Sequence, residues 1–194
     1  MKQLTTSFFS AFSIFCLVAL LMVPIGASAK DADNKVSDTF SYGGKAMQLN
    51  GAGLRKKLFI SLYVGSLYLT EKSKDADKIM ADDTPMAIRL FIKSSLISPE
   101  KMKDATLDGF KKATNGNISA IKPQIDVLLK TFDKGVGPGD TFELINMPGS
   151  GIHVVRNGVR AATIRSPEFK KALFGIWLSK NPVQQSLKRK MLGM

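Results

Sequence analysis

Lys57-Leu58-Phe59-Ile60-Ser61-Leu62-Tyr63-Val64-Gly65-Ser66-Leu67-Tyr68-Leu69 is the most β-like stretch of the chain. Leu58, Ile60, Leu62 and Val64 share one parity, and Phe59, Ser61, Tyr63 and Gly65 share the other. Alternate side chains of a strand point to opposite faces. The pattern therefore predicts one strand over residues 57–69, with an aliphatic face turned to a core and an aromatic, partly polar face suited to a ligand. Upstream, Thr39-Phe40-Ser41-Tyr42 and Lys45-Ala46-Met47-Gln48-Leu49 flank Gly43-Gly44 and read as a hairpin. Between hairpin and strand, Asn50-Gly51-Ala52-Gly53-Leu54-Arg55 reads as a turn.

Downstream, residues 86–93 alternate again, and residues 141–147, 151–156 and 159–165 read as three more strands. Pro148-Gly149-Ser150 turns between the first two of these. Asn157-Gly158 joins the last two, at positions that must tolerate positive φ. Residues 73–82 read as a short surface helix. Ser98-Pro99-Glu100 supplies an N-cap, a proline at the first helical position and an early acid for a helix reaching Ala113. Asn115-Gly116-Asn117 breaks it, and Ile121, Ile125, Leu128, Leu129 and Phe132 form one stripe of the next helix. Ser166-Pro167-Glu168 opens another helix, and Asn181-Pro182 opens a last one that ends near Gly193. Strands, helices, a meander and helices again give an α+β class: an antiparallel sheet with helices packed on one face.

The first residues are of another kind. Lys2 is the only charge before Lys30, the segment 8–23 is apolar, and Ala27-Ser28-Ala29 places small residues at a cleavage site. That apolar run, about 16 residues long, falls short of the ~20 a bilayer-spanning helix needs, so it reads as a cleaved signal rather than an anchor. Cys16 follows the large Phe15, where a lipoprotein signal wants a small residue, and it leaves with the signal. The expected organisation is a signal peptide over residues 1–29 cleaved after Ala29, a flexible leader over 30–37, one domain over 38–194, and a periplasmic location. The processed chain would hold no cysteine, so its stability must come from an apolar core. Its net charge would be (28 − 1) − 16 = +11. Export, and basic residues scattered among acids, exclude nucleic acid as the partner. An anionic membrane surface or an acidic small molecule fits better.

The residues carry no strong catalytic motif, no phosphate loop and no metal cluster. His153 is the only histidine, too few for the usual zinc site, and reads as structural. No catalytic residue, metal ligand or cofactor is assigned. Arg55 stands out, because glycines before it permit a tight turn that aims its side chain inward. A guanidinium beside an apolar sheet face would anchor a carboxylate or enolate, since its planar fork binds two oxygens. A surface arginine beside Lys56 and Lys57 is the other reading, and the residues alone leave both open.

Leu49-Asn50-Gly51-Ala52-Gly53-Leu54-Arg55, with Tyr63-Val64-Gly65-Ser66-Leu67-Tyr68-Leu69, resembles the chalcone isomerase family. So do Ala172-Leu173-Phe174-Gly175-Ile176-Trp177-Leu178 and the run from Asn181-Pro182-Val183-Gln184-Gln185 to Lys188. The likeness extends over nearly all of residues 38–192 and is greatest to the exported bacterial branch. It implies an open-faced β-sandwich with a ligand cleft between sheet and helices. The plant enzymes of the family close a flavanone ring, using an arginine with a tyrosine, an asparagine and threonines; relatives without activity bind fatty acids through the same arginine. Carried onto this chain, the arginine falls on Arg55 and a threonine near Tyr63. The catalytic tyrosine falls near Pro99, the asparagine near Thr106 and the later threonine on Ala172, so only the arginine is kept. The resemblance thus implies ligand-binding residues Arg55, Tyr63 and Thr106 in a non-catalytic binder of a fatty acid or similar amphipathic acid. Alternatives are an isomerase acting on an enone or unsaturated acid, with Thr106, Tyr63 or Tyr68 as proton donor, and an envelope interaction protein. On a straight strand Tyr63 would lie roughly 26 Å from Arg55, too far to share a small ligand unless the strand bends.

Overall fold

Seven strands follow one another across a single antiparallel sheet in chain order: β1 (Thr39–Tyr42), β2 (Lys45–Lys57), β3 (Ile60–Leu69), β4 (Met86–Ile92), β5 (Thr141–Met147), β6 (Gly151–Arg156) and β7 (Val159–Ile164). The computed structural model describes residues 36–194. The expected signal and residues 30–35 of the expected leader lie outside the described residues. Helix α1 (Ala76–Ala81) links β3 to β4, α2 (Pro99–Ala113) and α3 (Lys122–Lys130) link β4 to β5, and α4 (Pro167–Leu178) and α5 (Gln185–Met191) follow β7. Ser98 and Ser166 cap α2 and α4 as their sequences imply, each accepting a bond from the backbone N–H three residues on. The last helix begins later than Asn181-Pro182 suggests, at Gln185.

The main core lies between one sheet face and the helices. Strand periodicity turns Ile88, Leu90 and Leu144 inward, against Phe110, Ile125 and Phe169 of the helical layer. Lys170 of α4 is buried there and caps α1, its Nζ donating to the carbonyls of Ile79, Met80 and Asp82. Burial holds its pKa down to about 8.

The opposite face carries a smaller cluster of Met47, Tyr68, Ala87, Ile145 and Val155, with Phe40 and Tyr42 packed on it. On this face Tyr42 of β1 reaches His153 of β6, with ring centroids 5.6 Å apart. In a flat sheet five strand spacings would separate them by roughly 24 Å. The sheet is therefore curled into a half-barrel around the face away from the helices.

Two local expectations fail, both in the region that shapes the site. The stretch 57–69 is not one strand. The chain reverses at Leu58-Phe59, so that Lys57 pairs with Ile60 and Arg55 pairs with Tyr63. Two-residue turns normally announce themselves by Gly, Asn or Asp, and here both turn residues are apolar, so alternation runs on across the reversal. A bulge at Leu62 then shifts the parity: Ile60 and Leu62 line the helix side, as do Tyr63 and Leu67 beyond the bulge. The aliphatic set therefore does not share one face. The second failure is the glycine run. Residues 50–55 are not a turn but the middle of β2, which is kinked by a bulge at Asn50.

Candidate functional site

A cavity of about 700 Å³ opens between the sheet and the helical layer, within the size range of small-molecule sites. Its interior wall is apolar, built from Leu90, Phe142 and Leu144 on the strands and from Phe132, Leu173 and Ile176 on the helical side. Apart from Arg55, the charged side chains of the lining stand on its exposed rim: Lys57, Lys101 and Lys112 with Asp104 and Asp108. Inside, the polar groups are few: Arg55, Tyr63, Thr106 and the indole of Trp177.

Arg55 is half-buried. Its Nη1 donates to Oε1 of Gln184 at 3.2 Å and to the Lys56 carbonyl. Among the described residues, Nε and Nη2 make no hydrogen bond of good geometry, and the guanidinium lies near the Tyr63 hydroxyl, so one edge of the fork can meet a ligand beside the phenol. Gln184 is a clamp on this strand. Its Oε1 also accepts from the Lys56 N–H at 2.9 Å, and its Nε2 donates to the Leu54 carbonyl.

Tyr63 is 8% exposed, and its hydroxyl accepts a bond from Trp177 Nε1 at 3.0 Å. Burial raises its pKa, against the Trp177 hydrogen bond and the Arg55 charge, which pull it down. The phenol is therefore protonated at neutral pH, and its own proton finds no acceptor among the described residues.

The hairpin thus overturns the separation of roughly 26 Å inferred from a straight strand, because Arg55 and Tyr63 are direct cross-strand partners. Thr106 reaches the same cavity from α2 but makes no hydrogen bond to either. The expectation that glycines turn the chain to aim Arg55 is replaced by a different cause. A Cβ at Gly51 would lie 2.0 Å from the Lys190 carbonyl oxygen, and one at Gly53 would lie 2.9 Å from the Lys190 side chain. The glycines let α5 lie on β2, and α5 brings Gln184 to Arg55. Asn50 secures the contact, its Nδ2 donating to the Met191 carbonyl at 2.8 Å. Tyr68 is no candidate proton donor for this cavity. It lies on the opposite sheet face, where its hydroxyl donates to the Ser37 carbonyl.

Reasoning from the residues passed over Trp177 and Gln184. Trp177 reads as one apolar position of a helix, and its N–H partner is remote in sequence. Both nevertheless sit in the C-terminal run that carries the family resemblance, and that was the available signal. The chalcone isomerase-like family matches residues 28–193. The chain belongs to the chalcone isomerase-like family. All elements from β1 to α5 fall within the match, and the curled sheet under a helical layer is the chalcone isomerase-like fold. The crystal structure of an Arabidopsis thaliana fatty-acid binding protein is similar, with a TM-score of 0.60 and 16% identity over 79% of this chain and 95% of that one. At that identity the likeness is one of fold. No curated protein matches the chain.

Proposed function

We propose that this chalcone isomerase-like protein binds a fatty acid or similar amphipathic acid without transforming it. The tail would occupy the apolar cavity and the carboxylate would bond to Arg55 and Tyr63, in the periplasm after cleavage behind Ala29. The observation that carries the reading is the pairing of a guanidinium edge with a protonated phenol in an otherwise apolar cavity. A bidentate arginine contact and a hydroxyl donor suit a carboxylate. A similar fold in a protein named as a fatty-acid binder supports the reading. So does the loss of the enzymes' other polar groups: Pro99 opens α2, and Ala172 is buried in α4. A phenol whose pKa is raised is the weaker acid, better matched to donating a hydrogen bond than to transferring a proton.

The test is a thermal melt of the protein recovered from the periplasmic extract, with C12–C18 fatty acids and with alcohols of equal length. A ligand at about 100 times its Kd adds ~2.7 kcal/mol to the folded state. For a domain of this size that is a rise in Tm of about 5–10 °C. The rise should be smaller with the alcohols and largely absent in Arg55→Ala. The mass of the recovered protein should place its first residue at Lys30. No rise with any acid, or an equal rise in Arg55→Ala, would sink the arginine-anchored site. An intact N-terminus would sink the cleavage reading, and absence of the protein from the periplasmic extract would sink the export reading.

A further inference from the structure

The β2–β3 turn presents the two most exposed large apolar side chains of the described residues, Leu58 at 86% and Phe59 at 99%. Ile60 and Leu96 beside them are also exposed. Leu58 has φ 55, in the left-handed region where a bulky residue is strained and where two-residue turns ordinarily use Gly or Asn. The fold gains little from this choice, since the side chain is left almost wholly exposed. The tip is flanked by Lys56 and Lys57, and the chain carries no acid from Thr39 to Thr70. Of the two acids on the cavity rim, both on α2, Asp108 already faces Lys111. Leu58, Ile60 and Leu96 are themselves part of the cavity lining, so the apolar tip and the cavity mouth are continuous.

We infer that this hairpin tip docks on an anionic bilayer, with Phe59 and Leu58 entering the headgroup–acyl boundary, Lys56 and Lys57 on the lipid charges, and the cavity mouth held at the membrane surface. An apolar wedge bordered by lysines is the combination that binds such an interface. The position at the mouth gives an amphipathic molecule a path between bilayer and cavity that avoids bulk water. This goes beyond the proposed acid site and does not require it.

The test is partition of the protein, as its cell processes it, between buffer and vesicles of phosphatidylglycerol with phosphatidylcholine, or of phosphatidylcholine alone. Phe59→Ser should lower partition onto the mixed vesicles about tenfold, because a large apolar side chain no longer leaves water. Lys56→Gln should lower it about fivefold at low salt and progressively less as salt screens the lipid charge. Phe59→Trp should give blue-shifted emission on the mixed vesicles and quenching by lipids brominated in the acyl chain. Phe59 does not line the cavity, so Phe59→Ser should keep the wild-type Tm and the wild-type melting response to fatty acid without vesicles. The two readings can therefore fail separately. Equal partition of wild type and Phe59→Ser would overturn the docking proposal, as would unshifted Phe59→Trp emission on bound vesicles. So would a tip that mediates only self-association, seen as a concentration-dependent mass lost in Phe59→Ser.

Discussion

Tyr63 accepts one hydrogen bond inside the protein and has one left to give, and the two roles can be separated by substitution. In Tyr63→Phe the buried Trp177 N–H loses its acceptor, which costs about 1–3 kcal/mol for an unpartnered donor. The same change removes the hydroxyl proposed to meet the ligand carboxylate, so the Kd for a fatty acid should rise about fivefold to tenfold at a temperature where the variant is folded. Trp177→Phe removes the donor instead and leaves the phenol in place, so it should lower stability with less effect on affinity. Urea midpoints and isothermal titration on the two variants distinguish the roles. If Tyr63→Phe binds as tightly as wild type, the phenol is a structural partner of Trp177 and the carboxylate rests on Arg55 alone.

At the scale of elements, the site depends on a helix remote from it in sequence. Helix α5 lies on β2 only because Gly51 and Gly53 lack side chains, and Gln184, the residue that precedes its first turn, is thereby held on Arg55, Lys56 and Leu54. Gly51→Ala places a methyl within 2.0 Å of a backbone oxygen, which no rotamer change can relieve. The expected loss is about 2 kcal/mol or more, together with weaker fatty-acid binding as Gln184 withdraws. Gly137→Ala, where a Cβ meets nothing within 4 Å, should change stability by less than about 1 kcal/mol. Chemical denaturation of both variants checks this, and equal behaviour would mean that α5 can shift without cost. The same region shows what the sequence could and could not reveal. Caps such as Ser98 and Ser166, the Gly43-Gly44 and Asn157-Gly158 turns and the helical stripe from Ile121 to Phe132 are local signals, and each produced the expected element. Arg55 and Tyr63 were legible as residue types, but their adjacency was not. It is created by a turn made of Leu58 and Phe59, whose apolar side chains imitate a continuing strand. The purpose of the glycines was hidden for a related reason. They answer to Lys190 and Met191, and a contact so distant in sequence leaves no periodicity to read.

The curl of the whole sheet brings two distant strands to a contact that also titrates. Tyr42, on the short first strand, meets His153 on the sixth: the Tyr42 hydroxyl is 3.0 Å from Nδ1, and the Ser150 Oγ is 2.7 Å from Nε2 on the other side of the ring. Hydroxyls on both sides satisfy a neutral imidazole in either tautomer. Burial lowers the His153 pKa below its usual 6.5, and the charges of Arg160 and Arg165 lower it further. Between that lowered value and 6.5 the unfolded chain binds the proton and the folded one does not, so stability rises with pH across this window and is lost as pH falls through it. His153→Gln keeps an amide able to bond both hydroxyls but carries no titrating group. Urea midpoints at about pH 7.5 and pH 5 should therefore show wild type losing more stability on acidification than His153→Gln, since the carboxylates contribute alike in both. The extra loss should come with weaker packing of β1 over the outer cluster, seen as faster amide exchange at Phe40 and Tyr42 relative to the core strands β4 and β5. Parallel acid profiles would show that the imidazole is not the group that couples the first strand to the sixth. The curl would then rest on the apolar cluster of Met47, Tyr68 and Ile145 alone.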